Sequence, residues 1–247
     1  NLAKPSSQHQ FITKMHTFGT LTLLLLVLIG IASAKQLIDS RIGEQSVRSC
    51  RETSVSGVVT IKLNDSVSFQ AVCVQRHRQF GDGWMVIQQR TDFMLFYQNW
   101  AAYREGFGNF DRSFWLGLEK VYQVTARVPH ELVVEYQPVS GPRLYSKCAN
   151  FGIGSESEKY VLNDLSGYSG TARDCITASK GADFSTFDED NNINGDSNCA
   201  VTSQGAWWYT SDCSFDPNGM YSMMPKSKAK CLDINLQYVR IMIREIS

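Results

Sequence analysis

The sequence has 247 residues, 43% of them apolar and 11% aromatic, with 24 basic against 24 acidic side chains. That is enough apolar material for the core of one domain of about 200 residues. A balance near neutrality excludes the clustered positive charge through which nucleic acid or an anionic membrane is bound, so partners are expected to be recognised by shape and local chemistry.

Residues 1–14 are polar and without periodicity, and are read as an upstream leader outside the fold. From Met15 an apolar stretch over 21–31 leads to Ala32-Ser33-Ala34, the small-x-small pattern of a signal-peptidase site, so residues 15–34 are expected to be a secretory signal. The stretch is shorter than the about 20 residues a membrane span needs, and cleavage is expected to leave no span. Losing Lys4 and Lys14 leaves 22 basic against the 24 acidic residues, a slightly negative secreted protein.

Residues 35–49 read as a short linker without heptads or a Gly-x-y repeat, so any homo-oligomer is expected to form through the domain, 50–247, or through a cysteine. All seven cysteines, at 50, 73, 148, 175, 199, 213 and 231, follow the signal in a chain bound for an oxidising compartment, and disulfides are expected. The odd number leaves one thiol free or shared with another chain. Residues 57–63 and 67–74 alternate around a polar turn and predict a β-hairpin, and Asn64-Asp65-Ser66 in that turn is a glycosylation sequon. Residues 83–90 predict a strand. Asn99 and Gly106 are placed to open and close a short helix, and a second helix is expected within 114–127. Residues 131–137 predict a strand, and 148–165 a second hairpin turning at Gly154 to Glu158. Beyond Gly167 periodicity fades into a Gly-, Asn-, Asp- and Ser-rich stretch broken by Phe184, Trp207, Trp208 and Tyr209. A loop region of that length is usually functional or held by bridges and ions. Residues 238–246 alternate as a strand returning to the sheet.

Read together, residues 81–125 (GDGWMVIQQR through KVYQVT), GYSGTARDCI, FSTFDEDNN, NCAVTSQGAWWY and DPNGMY closely resemble the fibrinogen C-terminal domain family, over 50–247. The resemblance implies an α+β fold: a small N-terminal subdomain, a central antiparallel sheet flanked by short helices, and a loop-rich subdomain carrying calcium and the ligand pocket. It also implies bridges Cys50–Cys73 and Cys199–Cys213. Cys148, Cys175 and Cys231 lie outside the family's common framework, with the pairing of a third bridge open.

The run from Asp188 to Asp196 alternates oxygen ligands around Gly195, as a hard cation requires, but as an EF-hand it fails at its twelfth position, Val201, where a bidentate Glu is needed. The resemblance implies Asp190 and Asn192 as side-chain calcium ligands, with backbone carbonyls near Asn194 and Asp196. Asn192 replaces a second acid, which lowers the expected affinity. For the ligand pocket the candidates are Tyr209, Ser214, Phe215 and Tyr221. Ser203 and Ser214 stand where acetyl-binding relatives carry an aromatic and a His, so recognition of acetyl groups in the usual way is not expected. His77 and His130, the two histidines left after signal removal, are expected on the surface and lie in no nucleophile motif. No zinc, Walker or C-x-x-C motif is present, so no enzyme is expected. Two functions follow: a calcium-organised lectin for glycans or microbial surfaces, or an extracellular ligand for a protein receptor, as in the family's signalling members.

Overall fold

The computed structural model describes residues 30, 46–193, 197–211, 213–220 and 236–246. The chain divides into two units, Asn1–Gln45 and Ser46–Ser247. The leader and signal fall in the first, outside the described residues apart from Gly30. The second unit begins within the stretch expected to be linker, because β1 (Ser46–Val47) already pairs in parallel with β2 (Gly57–Lys62).

The predicted first hairpin forms from β2 and β3 (Ser68–Val74), in antiparallel register from Gly57 opposite Cys73 to Lys62 opposite Ser68. Its turn is held by Asn64, whose Oδ1 accepts the N–H of Ser66 at 2.8 Å and of Val67 at 2.9 Å. Next comes β4 (Trp84–Arg90), in which every residue is buried, the mark of a strand covered on both faces. The helix α1 (Trp100–Glu105) is capped as predicted: Asn99 Oδ1 accepts from Ala102, and Gly106 closes it at φ 94°. A Cβ on Gly106 would run into the carbonyls of Trp115 and Leu116, so a second requirement for glycine adds to the dihedral.

The second predicted helix forms over its apolar positions Leu118, Val121, Tyr122 and Val124, preceded by an unpredicted strand. Within 114–127 the chain first makes a strand, β6 (Phe114–Trp115), which pairs with β5 (Phe107–Gly108) and with Gln88 and Gln89 of β4. Only after Gly117, at φ 115°, does the helix α2 (Leu118–Thr125) start, burying Leu118, Val121 and Val124. Sheet pairing thus outcompetes helix for Phe114 and Trp115. The second hairpin is also longer than expected: β8 (Leu144–Gly152) pairs with β9 (Asp164–Gly170), and residues 153–163 form the connection. Within it a 3₁₀ turn, Glu156–Glu158, is fixed by a capping box in which Ser155 N–H donates to Glu158 Oε2 at 2.9 Å.

The sheet order is β1-β2-β3-β4-β12-β7-β8-β9, antiparallel except at β1. The C-terminal strand β12 (Leu236–Glu245) inserts between β4 and β7 (His130–Pro138), with a register irregularity between Ile241 and Met242 against β4. One sheet face, with Ile87, Leu132, Val134 and Ile241, meets Trp207, Trp208 and Ile176 from the loop-rich part to form the core. The other face is finished by ion pairs. Glu131 accepts from Lys147 at 2.6 Å and from Arg244 at 2.5 Å, and Arg244 lies 4.3 Å over the Trp84 ring. Glu135, 3% exposed, lies 3.2 Å from His77 and 3.5 Å from Arg143. His77 is therefore mostly buried rather than on the surface. His130 is buried too, with its Nδ1 at 2.8 Å from the Val128 carbonyl, and burial holds its pKa below the usual histidine value. Each imidazole sits on a strand-facing position, where covering its ring outweighs keeping it wet.

Cys50–Cys73 and Cys199–Cys213 are bridged, as the resemblance implied. Cys175 is disulfide-bonded as well, while Cys231 lies outside the described residues. Among the described residues the free thiol is Cys148, fully buried on β8, and burial pushes its pKa up to about 12. A thiol so placed cannot reach another chain. Titration with a thiol reagent is expected to find no reactive group in the native protein and one per chain after unfolding without reductant. Immediate reaction in the native state would contradict the burial.

Candidate ligand and calcium lobe

Residues 176–220 carry only short elements: β10 (Phe184–Ser185), α3 (Cys199–Ser203) and β11 (Trp207–Trp208). What positions them is packing around Phe184. Its ring lies 4.9 Å from Trp208, 5.2 Å from Tyr103, 6.1 Å from Trp115 and 6.3 Å from Trp100, joining the lobe to α1 and β6. β10 and β11 pair Phe184 with Trp208, and the Trp208 indole N–H donates to the Tyr160 carbonyl at 2.7 Å. Asn198 caps α3 by accepting from Val201 at 3.1 Å, and the Cys199–Cys213 bridge closes the loop behind it. A loop of this length contributes roughly 3 kcal/mol on the chain-entropy estimate.

The segment 216–219 is tied to the sheet through a buried asparagine. Asn218 Nδ2 donates to the Ala206 carbonyl at 3.0 Å, its Oδ1 accepts from Gln88 Nε2 at 3.1 Å, and its N–H donates to Asp216 Oδ1 at 2.8 Å. Arg90 donates to the carbonyls of Gly219 at 2.5 Å and Pro217 at 3.3 Å. Gly205 faces this turn so closely that a Cβ would strike the Asp216 carboxylate and the backbone of Asn218 and Gly219.

Of the predicted pocket residues, Tyr209 and Phe215 are buried, 1% and 4% exposed, and Ser214 is half-buried. Tyr221 lies outside the described residues. The Tyr209 hydroxyl donates to Asp216 Oδ2 at 2.5 Å, and the Phe215 ring meets Trp207 at 5.7 Å and Tyr136 at 6.5 Å. These two aromatics brace the lobe from inside. Asp216, the first residue of DPNGMY and not among the predicted site residues, is the titratable group of this region: burial raises its pKa to about 7, against the hydrogen bonds from Tyr209 and Asn218 and the charge of Arg90.

Of the predicted calcium ligands, Asp190 and Asn192 are neighbours at the open end of the loop, Asp190 exposed and Asn192 half-buried, and Asn194 and Asp196 lie outside the described residues. The Asn192 backbone N–H and side-chain amide both donate to Asp190 Oδ1. A cation bound by this pair needs the amide turned so that its oxygen replaces the NH₂ group. The donor set of a carboxylate and an amide oxygen otherwise suits a hard cation. Among the described residues no group of three or more His, Cys, Asp or Glu is arranged to hold a metal. The loop itself is anchored without one: Asp188 Oδ1 accepts from the Trp100 N–H at 2.9 Å and from Thr186 Oγ1 at 2.7 Å. The sequon Asn64 is exposed at its hairpin turn.

Two predictions follow from this geometry. Asn218→Ala leaves the Gln88 amide and the Ala206 carbonyl buried without partners, and is expected to cost about 3 kcal/mol in denaturant unfolding. A loss below about 1 kcal/mol would show that the hub is not needed. Asp216 has a folded-state pKa above its unfolded value of 3.8, so its protonated form favours folding. Its contribution is present at low pH and is lost as pH rises from about 4 through about 7. His130 works in the opposite sense, since its lowered pKa costs stability as pH falls below 6.5. The difference between wild type and Asp216→Asn therefore isolates the carboxyl: Asn is expected to flatten the decline across that window, and parallel curves would refute the assignment.

Compared with known proteins, the chain matches the family described as fibrinogen beta and gamma chains, C-terminal globular domain, over residues 41–235. It is 39% identical to mouse angiopoietin-related protein 2 over 158 residues, 63% of this chain and 31% of that protein. With human ficolin-3 it shares 34% identity over 186 residues, 73% of this chain and 61% of that protein. The chain thus spans about a third to three fifths of the length of these relatives. The fibrinogen-like globe domain of human ANGPTL2 superposes with a TM-score of 0.73 at 32% identity, covering 80% of this chain and 98% of that one. A lamprey fibrin D-dimer, solved with the peptide ligand Gly-His-Arg-Pro-amide, shares the fold at 22% identity and a TM-score of 0.71. With its α+β architecture and both implied bridges in place, the chain belongs to the fibrinogen C-terminal globular domain family.

Proposed function

We propose that this chain is a secreted, non-enzymatic recognition domain that contacts an extracellular protein partner. The observation that carries the reading is the burial of the pocket candidates Tyr209 and Phe215, together with Trp207 and Trp208. An aromatic ring binds a sugar through an exposed face, and these four faces are spent on the core. Similarity to angiopoietin-related proteins supports the same reading, and the disulfides fit an oxidising extracellular compartment. No helix among the described residues is long and apolar enough to cross a membrane.

The second reading is a lectin for glycans or microbial surfaces, organised by calcium. It is favoured by the exposed oxygen donors Asp190 and Asn192 and by similarity to ficolin-3. In either reading calcium would be held by Asp190 and Asn192, with Asn194 and Asp196 completing the set, and Asn64 would carry a glycan.

A glycan array with calcium and with chelator, run beside a panel of purified receptor ectodomains, separates the two. The expected result is saturable binding to an ectodomain and no glycan retained under either condition. Chelator-sensitive retention of a glycan would overturn the protein-partner reading in favour of the lectin.

A further inference from the structure

Residues 91–97 join β4 to α1 without belonging to a sheet, with a bend at Asp92 and a tight turn in which the Gln98 N–H donates to the Phe96 carbonyl at 2.9 Å. Their side chains alternate. Phe96, 1% exposed, turns inward against Phe107 at 5.2 Å and beneath the Arg90 guanidinium at 4.8 Å, and Met94 packs on the core beside Gly108. Phe93, Leu95 and Tyr97 turn outward, 70%, 59% and 36% exposed. Phe187, 38% exposed, continues the strip, its ring 4.8 Å from that of Tyr97. The backbone N–H groups of Phe93, Leu95 and Tyr97 have no acceptor among the described residues. The strip is therefore an open edge, apolar and unpaired, held rigid by the inward anchors. Folded proteins seldom leave such an edge uncovered.

The strip is also polarised. At the Phe93 end Arg112 is 75% exposed and lies 3.7 Å from Asp92, a loose and screened contact. At the Tyr97 end stand Asp188, Glu189 and Asp190, all exposed and without an ion-pair partner among the described residues. A basic partner would satisfy only the acidic end. A second copy laid antiparallel, with its two-fold axis near Leu95, covers apolar with apolar and sets each Arg112 opposite the acidic end of the other chain. That is the self-complementarity a two-fold interface requires.

We propose that residues 91–97, continued by Phe187, form a self-association surface through which two copies of this chain pair antiparallel, with Arg112 of each facing Glu189 of the other. The strip is at most about 20 Å long at strand rise. It buries less than the roughly 1,200 Å² of a standard interface, so pairing is weak and reversible and gains force where copies are clustered on a surface.

Sedimentation velocity on the whole chain, over a concentration series with alkylating agent and chelator present, tests this. The alkylating agent caps any free thiol so that no inter-chain disulfide forms, and the chelator keeps any ion from screening the acidic end. The expected result is a concentration-dependent monomer–dimer equilibrium that Leu95→Lys weakens at least about tenfold. Arg112→Glu weakens it as well, and adding Glu189→Lys to Arg112→Glu restores it. All three positions are exposed, and circular dichroism confirms that each variant is folded. A monomer at every concentration, a dimer indifferent to Leu95→Lys, or a charge reversal that fails to restore pairing would each overturn the proposal.

Discussion

Asn218 joins the part of the chain that has a repeating pattern to the part that has none. Its three side-chain and backbone hydrogen bonds reach β4, the residue before β11 and the turn at Asp216, and the two made by its side chain are buried. Buried amides are costly when half satisfied and rigid when fully satisfied, so this one residue fixes where 213–220 can lie on the sheet. Arg90, the last residue of β4, adds donors to the same turn. The strand that supplies both anchors is the most completely buried in the sheet, and it is held there by β12 on one side and β3 on the other. Lobe geometry therefore depends on sheet closure by the C-terminal strand, and on a contact between Gln88 and Asn218, 130 residues apart in sequence.

Where burial is one-sided the sequence shows it, as in β2 and β3, whose alternation and Asn64 turn are visible without coordinates. β4 was recognisable as a strand, but its central place was not, because a strand covered on both faces carries no alternation to say what covers it. Phe114 and Trp115 lie ahead of the spacing at Leu118, Val121, Tyr122 and Val124 that marks the helix, and only the pairing with Gln88 and Gln89 decides that they form a strand. The ionic face was illegible for the same reason. Glu131, Lys147 and Arg244 lie on three strands, and their spacing in sequence carries no trace of a shared site.

In the lobe, residue type misleads about exposure. Trp, Tyr and Phe in a Gly- and Asn-rich stretch have the composition of a binding surface, and they have equally the composition of a small core that must be built without regular elements. Tyr209 shows how the second outcome is reached: its hydroxyl is satisfied by Asp216 and its ring by burial, leaving nothing to offer a ligand. Asp216 opens the DPNGMY motif, but that motif carries the family resemblance and says nothing of how deeply its carboxyl is buried. Its raised pKa arises from burial, which outweighs the opposing hydrogen bond from Tyr209 and charge of Arg90, neither adjacent to it in sequence.

These anchors also limit what a cation can do. The segment 199–219 is fixed by a bridge, a helix cap and the Asn218 hub, and residues 184–188 are fixed by Phe184 packing and by Asp188 on the N–H of Trp100. An ion bound at Asp190 and Asn192 would therefore add to folding only the free energy of its own binding. Before it can coordinate, Asn192 must give up its amide contact with Asp190, a cost subtracted from affinity in a site already one formal charge short of two carboxylates. Calcium in this chain would then act as a local shaper of the loop tip beside Phe187, not as the clamp of the whole lobe, and that tip is also the acidic end of the apolar strip. Neutralising it would weaken the attraction for Arg112 of a second copy, so ion binding and pairing would oppose one another through a single cluster of charges.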